Sequence, residues 1–102
     1  KDWKLFRERL SGWQENYMEG LVKEYVNFLN DDKKPASDKF WELEKRMKED
    51  KRHPGVIMEM SKSDVIWDIV RLIRLKVITY DDLSDFSDEL QVEVKRILEM
   101  NR

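Results

Sequence analysis

A single histidine, His53, stands in the stretch KRHPGVIMEM (residues 51–60), and no cysteine occurs anywhere in the chain. Thiolate nucleophiles, thiolate metal sites and disulfides are therefore excluded. No serine or second histidine lies close enough in sequence to complete a nucleophilic or metal-ligating pattern around His53. Proline disfavours a helical conformation at the residue before it, so Pro54 predicts that His53 ends a helix. A protonated imidazole there is favoured by the helix dipole and can cap free carbonyls. The expected role of His53 is structural.

The acids Asp81, Asp82, Asp85, Asp88 and Glu89 form the other cluster with a chemistry to test, because hard cations need grouped carboxylates. The spacing does not suit a calcium loop. Counting from Asp81, the third position is Leu83; counting from Asp82, the third and fifth are Ser84 and Phe86. No glycine supplies the sharp turn such a loop needs. A phosphate-cradling glycine-rich loop, an HExxH pair and paired His/Cys spacings are also missing. The sequence predicts no enzyme, no metal and no cofactor.

These residues must be held by helices. Of 102 residues, 41 % are charged and only three are glycine and two proline, a balance that favours helices with solvated faces over sheets with many turns. The expected fold is all-α, one domain over residues 1–102: a long N-terminal helix (about 2–29) and a compact helical part (about 37–100), making a bundle with three to five shorter helices. Trp3, Phe6, Leu10, Trp13, Tyr17, Leu21, Tyr25 and Phe28 recur at steps of three and four, the stripe of one amphipathic helix. NDDKKPAS (30–37) then breaks the helix, and Ser37 is the expected N-cap of a second one over about 38–51, with Phe40, Leu43 and Met47 inward and Trp41 beside them. A short helix is predicted for Val56–Met60. Ser61 or Ser63 should cap a further helix to about Leu75, whose apolar circumference (Val65, Ile66, Trp67, Ile69, Val70, Leu72, Ile73) places it centrally. Thr79 with Asp82 reads as a capping-box variant opening one short turn through Leu83, and Ser87 caps the last helix, about 88–100, with Leu90, Val94, Ile97 and Leu98 inward.

The net charge of −2 is unevenly spread. Residues 45–76 carry nine bases against five acids, and residues 79–102 three bases against seven acids. Such a chain neutralises itself within the fold or across a dimer more readily than it binds nucleic acid. A helix-turn-helix reading of DVIWDIVRLIRLKVITYDDL fails on charge, because the second helix opens with Tyr80-Asp81-Asp82, which would repel phosphate. Contacts to nucleic acid, as the alternative function, would come from Lys45, Arg46, Lys48, Lys51 and Arg52 touching backbone phosphate. No apolar run approaches the roughly 18 residues needed to span a bilayer, and Lys1-Asp2-Trp3 lacks the layout of a signal peptide, so a cytoplasmic location and no membrane partner are expected.

The run SDKFWELEKRMKEDKRHPGVIMEMSKSDVIWDIVRLI followed by VITYDDLSDFSDEL, roughly residues 37–94, resembles a group of small all-helical bacterial proteins of uncharacterised function. The resemblance implies a bacterial, cytoplasmic, all-α protein and transfers no active-site residue. Before VIT the pattern carries a glycine, a natural residue just past a helix end, where this chain has Lys76. The leading expectation for function is a protein-interaction or regulatory module that self-associates through its first helix, using Trp3, Phe6, Trp13, Tyr17 and Gly20. Trp13 lies one heptad before Gly20, so two antiparallel copies could each seat an indole in the other's notch.

Overall fold

Four stretches of this sequence close helical hydrogen-bond ladders in the computed structural model, which describes residues 1–100: α1 (Asp2–Leu29), α2 (Ala36–Asp50), α3 (Val65–Arg74) and α4 (Asp88–Met100). Two 3-10 turns, Lys62–Asp64 and Tyr80–Leu83, join them, and no strand forms among the described residues. The fold is all-α with a long N-terminal helix. No helix among the described residues is long and apolar enough to cross a membrane. The chain divides into two compact units, and the division falls inside α1 and after Met58 instead of at the loop following α1. The first unit comprises Lys1–Trp13 and the chain from Glu59 onward, the second Gln14–Met58.

In the first unit the start of α1 contributes Phe6, Leu10 and Trp13 to a core completed by Val65, Ile69, Val70 and Leu72 of α3 and by Leu90, Val94 and Ile97 of α4. Ile78, Leu83 and Phe86 fill it from the connection between α3 and α4. The Trp13 ring stacks on Phe86 with centroids 6.1 Å apart and lies 6.3 Å from Phe6. Ser87 caps α4 as its type predicts, its Oγ accepting the Leu90 N–H at 3.2 Å. Asp2, in the first turn of α1, in turn accepts from the Ser87 hydroxyl at 2.6 Å and the Ser87 N–H at 3.0 Å, tying the starts of two helices together. The Thr79–Asp82 box also forms, with the Asp82 carboxylate taking the Thr79 N–H at 2.8 Å and opening the turn Tyr80–Leu83.

Three local expectations fail in this unit and beside it. Residues 56–60 form no helix: the N–H groups of Val56 and Ile57 both donate to the His53 carbonyl, a tight turn that leaves too short a run to nucleate a helix. Ser61 makes no side-chain cap, its hydroxyl meeting that of Ser63 at 3.1 Å, and a 3-10 turn precedes α3. α3 is buried along one side only, and Trp67 stands more than half exposed.

α3 ends at Arg74, and Lys76 takes the left-handed conformation, φ 66°. The Val77 N–H reaches the Leu72 carbonyl at 2.9 Å and the Lys76 N–H that of Ile73 at 3.0 Å, the paired bonds of a Schellman ending. The turn that favours glycine is thus kept with a lysine in it. A Cβ in this region costs about 1–2 kcal/mol, part of which glycine returns through its freer unfolded chain. Lys76→Gly should raise unfolding free energy by about 1 kcal/mol in urea titration; no gain would show that the lysine side chain compensates there.

In the second unit α2 begins two residues earlier than expected. Pro35 sits at its N-cap with φ −61° and supplies no side-chain cap, so Ser37 falls inside the first turn. Its ends of contact with α1 run in opposite senses: Lys39 Nζ donates to the Leu29 carbonyl at 2.8 Å, while Asp50 accepts from the Tyr25 hydroxyl. The two helices are antiparallel. None of the α2 residues is buried. Of Phe40, Leu43 and Met47, expected inward, Phe40 and Met47 are 63 % and 46 % exposed and only Leu43 is half-buried; Trp41, expected beside them, is 64 % exposed.

Candidate functional site

His53 lies in the turn that follows α2, and its ring does not cap the helix carbonyls. Its Nδ1 accepts the Gly55 N–H at 3.0 Å, and the imidazole stacks on Tyr17 at 4.5 Å with the rings within 4° of parallel. Pro54 is fully buried, and its carbonyl accepts from Gln14 Nε2 at 2.9 Å. A Cβ on Gly55 would run into the Tyr17 ring. The HPG stretch is a clamp that packs a tight turn against α1.

One flank of the α1–α2 hairpin is closed by charge. Arg46 donates to Glu24, approaches Asp50 at 3.5 Å and lies 5.1 Å above the Tyr25 ring. Burial and the hydrogen bond to Asp50 push the Tyr25 hydroxyl up to about 12. Burial, with the Asp50 and Glu24 charges, raises Tyr17 as well. Both phenols are neutral and structural at physiological pH.

The basic residues predicted for nucleic acid share a face only in part. At 100° per residue Lys45 and Lys48 lie about 60° apart on one side of α2, while Arg46 turns away from both. Arg46 is held as described, and Lys48 pairs with Glu44 at 2.9 Å. Among the described residues Lys45, Lys51 and Arg52 form no ion pair.

The residues expected for self-association separate in the same way. Phe6 and Trp13 are buried in the core of the first unit, so neither is available to a partner, and the indole-in-notch pairing is corrected accordingly. Trp3 is half-buried with the Arg7 guanidinium 5.5 Å from its ring. Tyr17 is engaged by His53, and Gly20 faces open space. Of the acids, Asp82 serves its capping box and Asp85 accepts from Arg9 at 2.7 Å. No group of three or more ligating side chains gathers among the described residues.

Two clefts remain. In the first unit a shallow cleft of about 490 Å³ is lined in part by Trp3, Trp67, Lys62, Glu89 and Glu93. Its charges are mixed and converge on no single ligand group. Asp68 on α3 keeps one carboxylate oxygen buried without a partner; burial first, and the Asp64 charge second, raise its pKa.

A further cleft, about 170 Å³, lies between the helices of the hairpin and is lined by Met18, Leu21, Val22, Tyr25 and Met47, with the charged Asp50 and Lys51 among the others. Around it the apolar surface continues. Val22 and Val26 of α1 are 56 % and 50 % exposed, and Leu29 follows them at helical spacing. Phe40, Leu43 and Met47 make the matching stripe on α2. The sequence carried this signal as a 22-26-29 stripe beside the aromatic one, which the larger aromatic side chains obscured. Compared with protein-family models, with curated proteins and with solved structures, the chain matches none.

Proposed function

We propose that the protein is a non-enzymatic interaction module whose working surface is the apolar flank of the α1–α2 hairpin, built to receive the apolar face of a helix from a protein partner. The observation that carries this reading is α2 itself. A helix of 15 residues with none buried gains little from its own chain, yet it presents Phe40, Trp41 and Met47 to solvent. Single exposed hydrophobes are ordinary, whereas two facing stripes around an apolar cleft mark a docking groove. The basic-face alternative draws less support, because Arg46 turns away from Lys45 and Lys48 and two of the five cations are paired within the chain. The lack of cysteine supports placing this activity in the reducing cytoplasm.

The test is a photo-crosslinking side chain placed at position 40, in the groove, and at position 45, on the opposite flank, in cells expressing the full chain. Position 40 should give an adduct of one discrete mass and position 45 none. No adduct from position 40, in a variant that retains its helical circular dichroism, would overturn the reading.

A further inference from the structure

The charges that border the groove are arranged in two edges of opposite sign. On the α1 edge, the exposed Glu15 and Glu19 adjoin Met18 and Val22, which also line the cleft. On the α2 edge, Lys51 lines the cleft beside Met47, and Lys48 follows on the same side of the helix. Lys23 also stands on the α1 edge and Glu44 on the α2 edge, while Asp50, which lines the cleft, is taken up by Tyr25 and Arg46; the first edge is net acidic and the second net basic, with apolar residues between them.

From this arrangement we infer that the occupant of the groove is a second copy of the same chain, bound about a twofold axis running along the groove; the inference rests on the docking reading above. Because α1 and α2 are antiparallel, such an axis lays α1 of one copy across α2 of the other, again antiparallel. The result is a four-helix packing of a kind that shallow crossing angles favour. A twofold interface must be complementary to itself. Here each apolar stripe meets an apolar stripe, and the Glu15–Glu19 edge of each copy faces the Lys48–Lys51 edge of the other. A partner whose two edges carried the same sign would meet repulsion at one of them. The pair Lys48–Glu44 within α2 does not prevent this, since an exposed i,i+4 pair is held weakly and exchanges partners easily.

Charge reversal provides the test. Sedimentation equilibrium of the wild-type chain should give a dimer. The double variants E15K/E19K and K48E/K51E should each dissociate, with affinity weakened more than about tenfold by like charges facing across the interface. An equimolar mixture of the two variants should recover a dimer, now mixed. All four positions are exposed, and helical circular dichroism confirms that each variant is folded. A wild-type chain that stays monomeric at the highest soluble concentration, or variants that dimerise as well as wild type, would overturn the inference. The crosslink from position 40 separates the two readings: an adduct of twice the chain's mass supports the second copy, while an adduct of any other mass overturns it and leaves the docking groove standing.

Discussion

Trp13→Ala should lower unfolding free energy by about 3–5 kcal/mol, the cost of truncating a large aromatic in a packed core. A domain of this size has about 5–15 kcal/mol in total, so the loss takes a large share of it. Trp13 is 8 % exposed, stacks on Phe86 and meets Phe6, and both of those rings are themselves buried. The aromatic pairing adds about 0.5–1.5 kcal/mol beyond the area it covers. Alanine would leave a void bounded by two rigid rings that cannot collapse far. In thermal melts followed by circular dichroism the midpoint should fall by about 15 °C or more, and Trp13→Phe should recover much of the difference. A variant that keeps the wild-type melting midpoint while changing oligomeric state would show instead that the indole belongs to an interface.

Trp13 also shows why the sequence was readable in some places and misleading in others. The step of three and four along α1 identifies the helix and its apolar side, but periodicity says nothing about which body covers each portion of a stripe. Phe6 and Trp13 are covered by the chain's own α3–α4 region, while Gly20, one heptad further on, faces open space. Caps were legible for the same reason that they work: Thr79–Asp82 and Ser87 act on backbone groups two or three residues away, so their partners are fixed by the local sequence. Ser37 and Ser61 carry the same chemistry without performing it, because Pro35 sets the start of α2 and a 3-10 turn sets the entry to α3. Lys76 stands where glycine is the natural residue just past a helix end, and the Schellman bonds around it hold the positive φ with a lysine in place.

The proposed docking surface is harder to read from sequence because it depends on an absence of covering mass. Phe40, Leu43 and Met47 have the spacing of a buried stripe, and in a larger protein they would be one. What leaves Phe40 and Met47 exposed, and Leu43 only half-buried, is that α2 has only α1 and the HPG turn within its unit, and Leu21 is the one residue of that unit's α1 portion that is buried. The basic run divides on the same helix: in KRMK, Lys45 and Lys48 stay on one side once wound, and Arg46 turns away to Glu24.

Gly55→Ala should destabilise the protein by about 1–3 kcal/mol, the range for forcing an extra carbon into an occupied space, and the sign of the effect is the informative part. No glycine among the described residues has a positive φ, so backbone conformation gives no reason for glycine at position 55. On backbone grounds alone, alanine would stabilise by about 0.4–1 kcal/mol through a less flexible unfolded chain. The obstacle is the Tyr17 ring, which the new Cβ would overlap and which is held on His53 by a near-parallel stack. The ring has to move, and when it does the stack and the hydrogen bond from Gly55 N–H to His53 Nδ1 are both disturbed. Removing the ring tests this account without altering the turn. In a Tyr17→Ala background, Gly55→Ala should cost nothing or become stabilising, so the double-mutant cycle should return a coupling of about 1–3 kcal/mol between residues in direct contact. Equal effects of Gly55→Ala in both backgrounds, read by urea denaturation, would mean that the glycine is there for some reason other than the close approach of Tyr17.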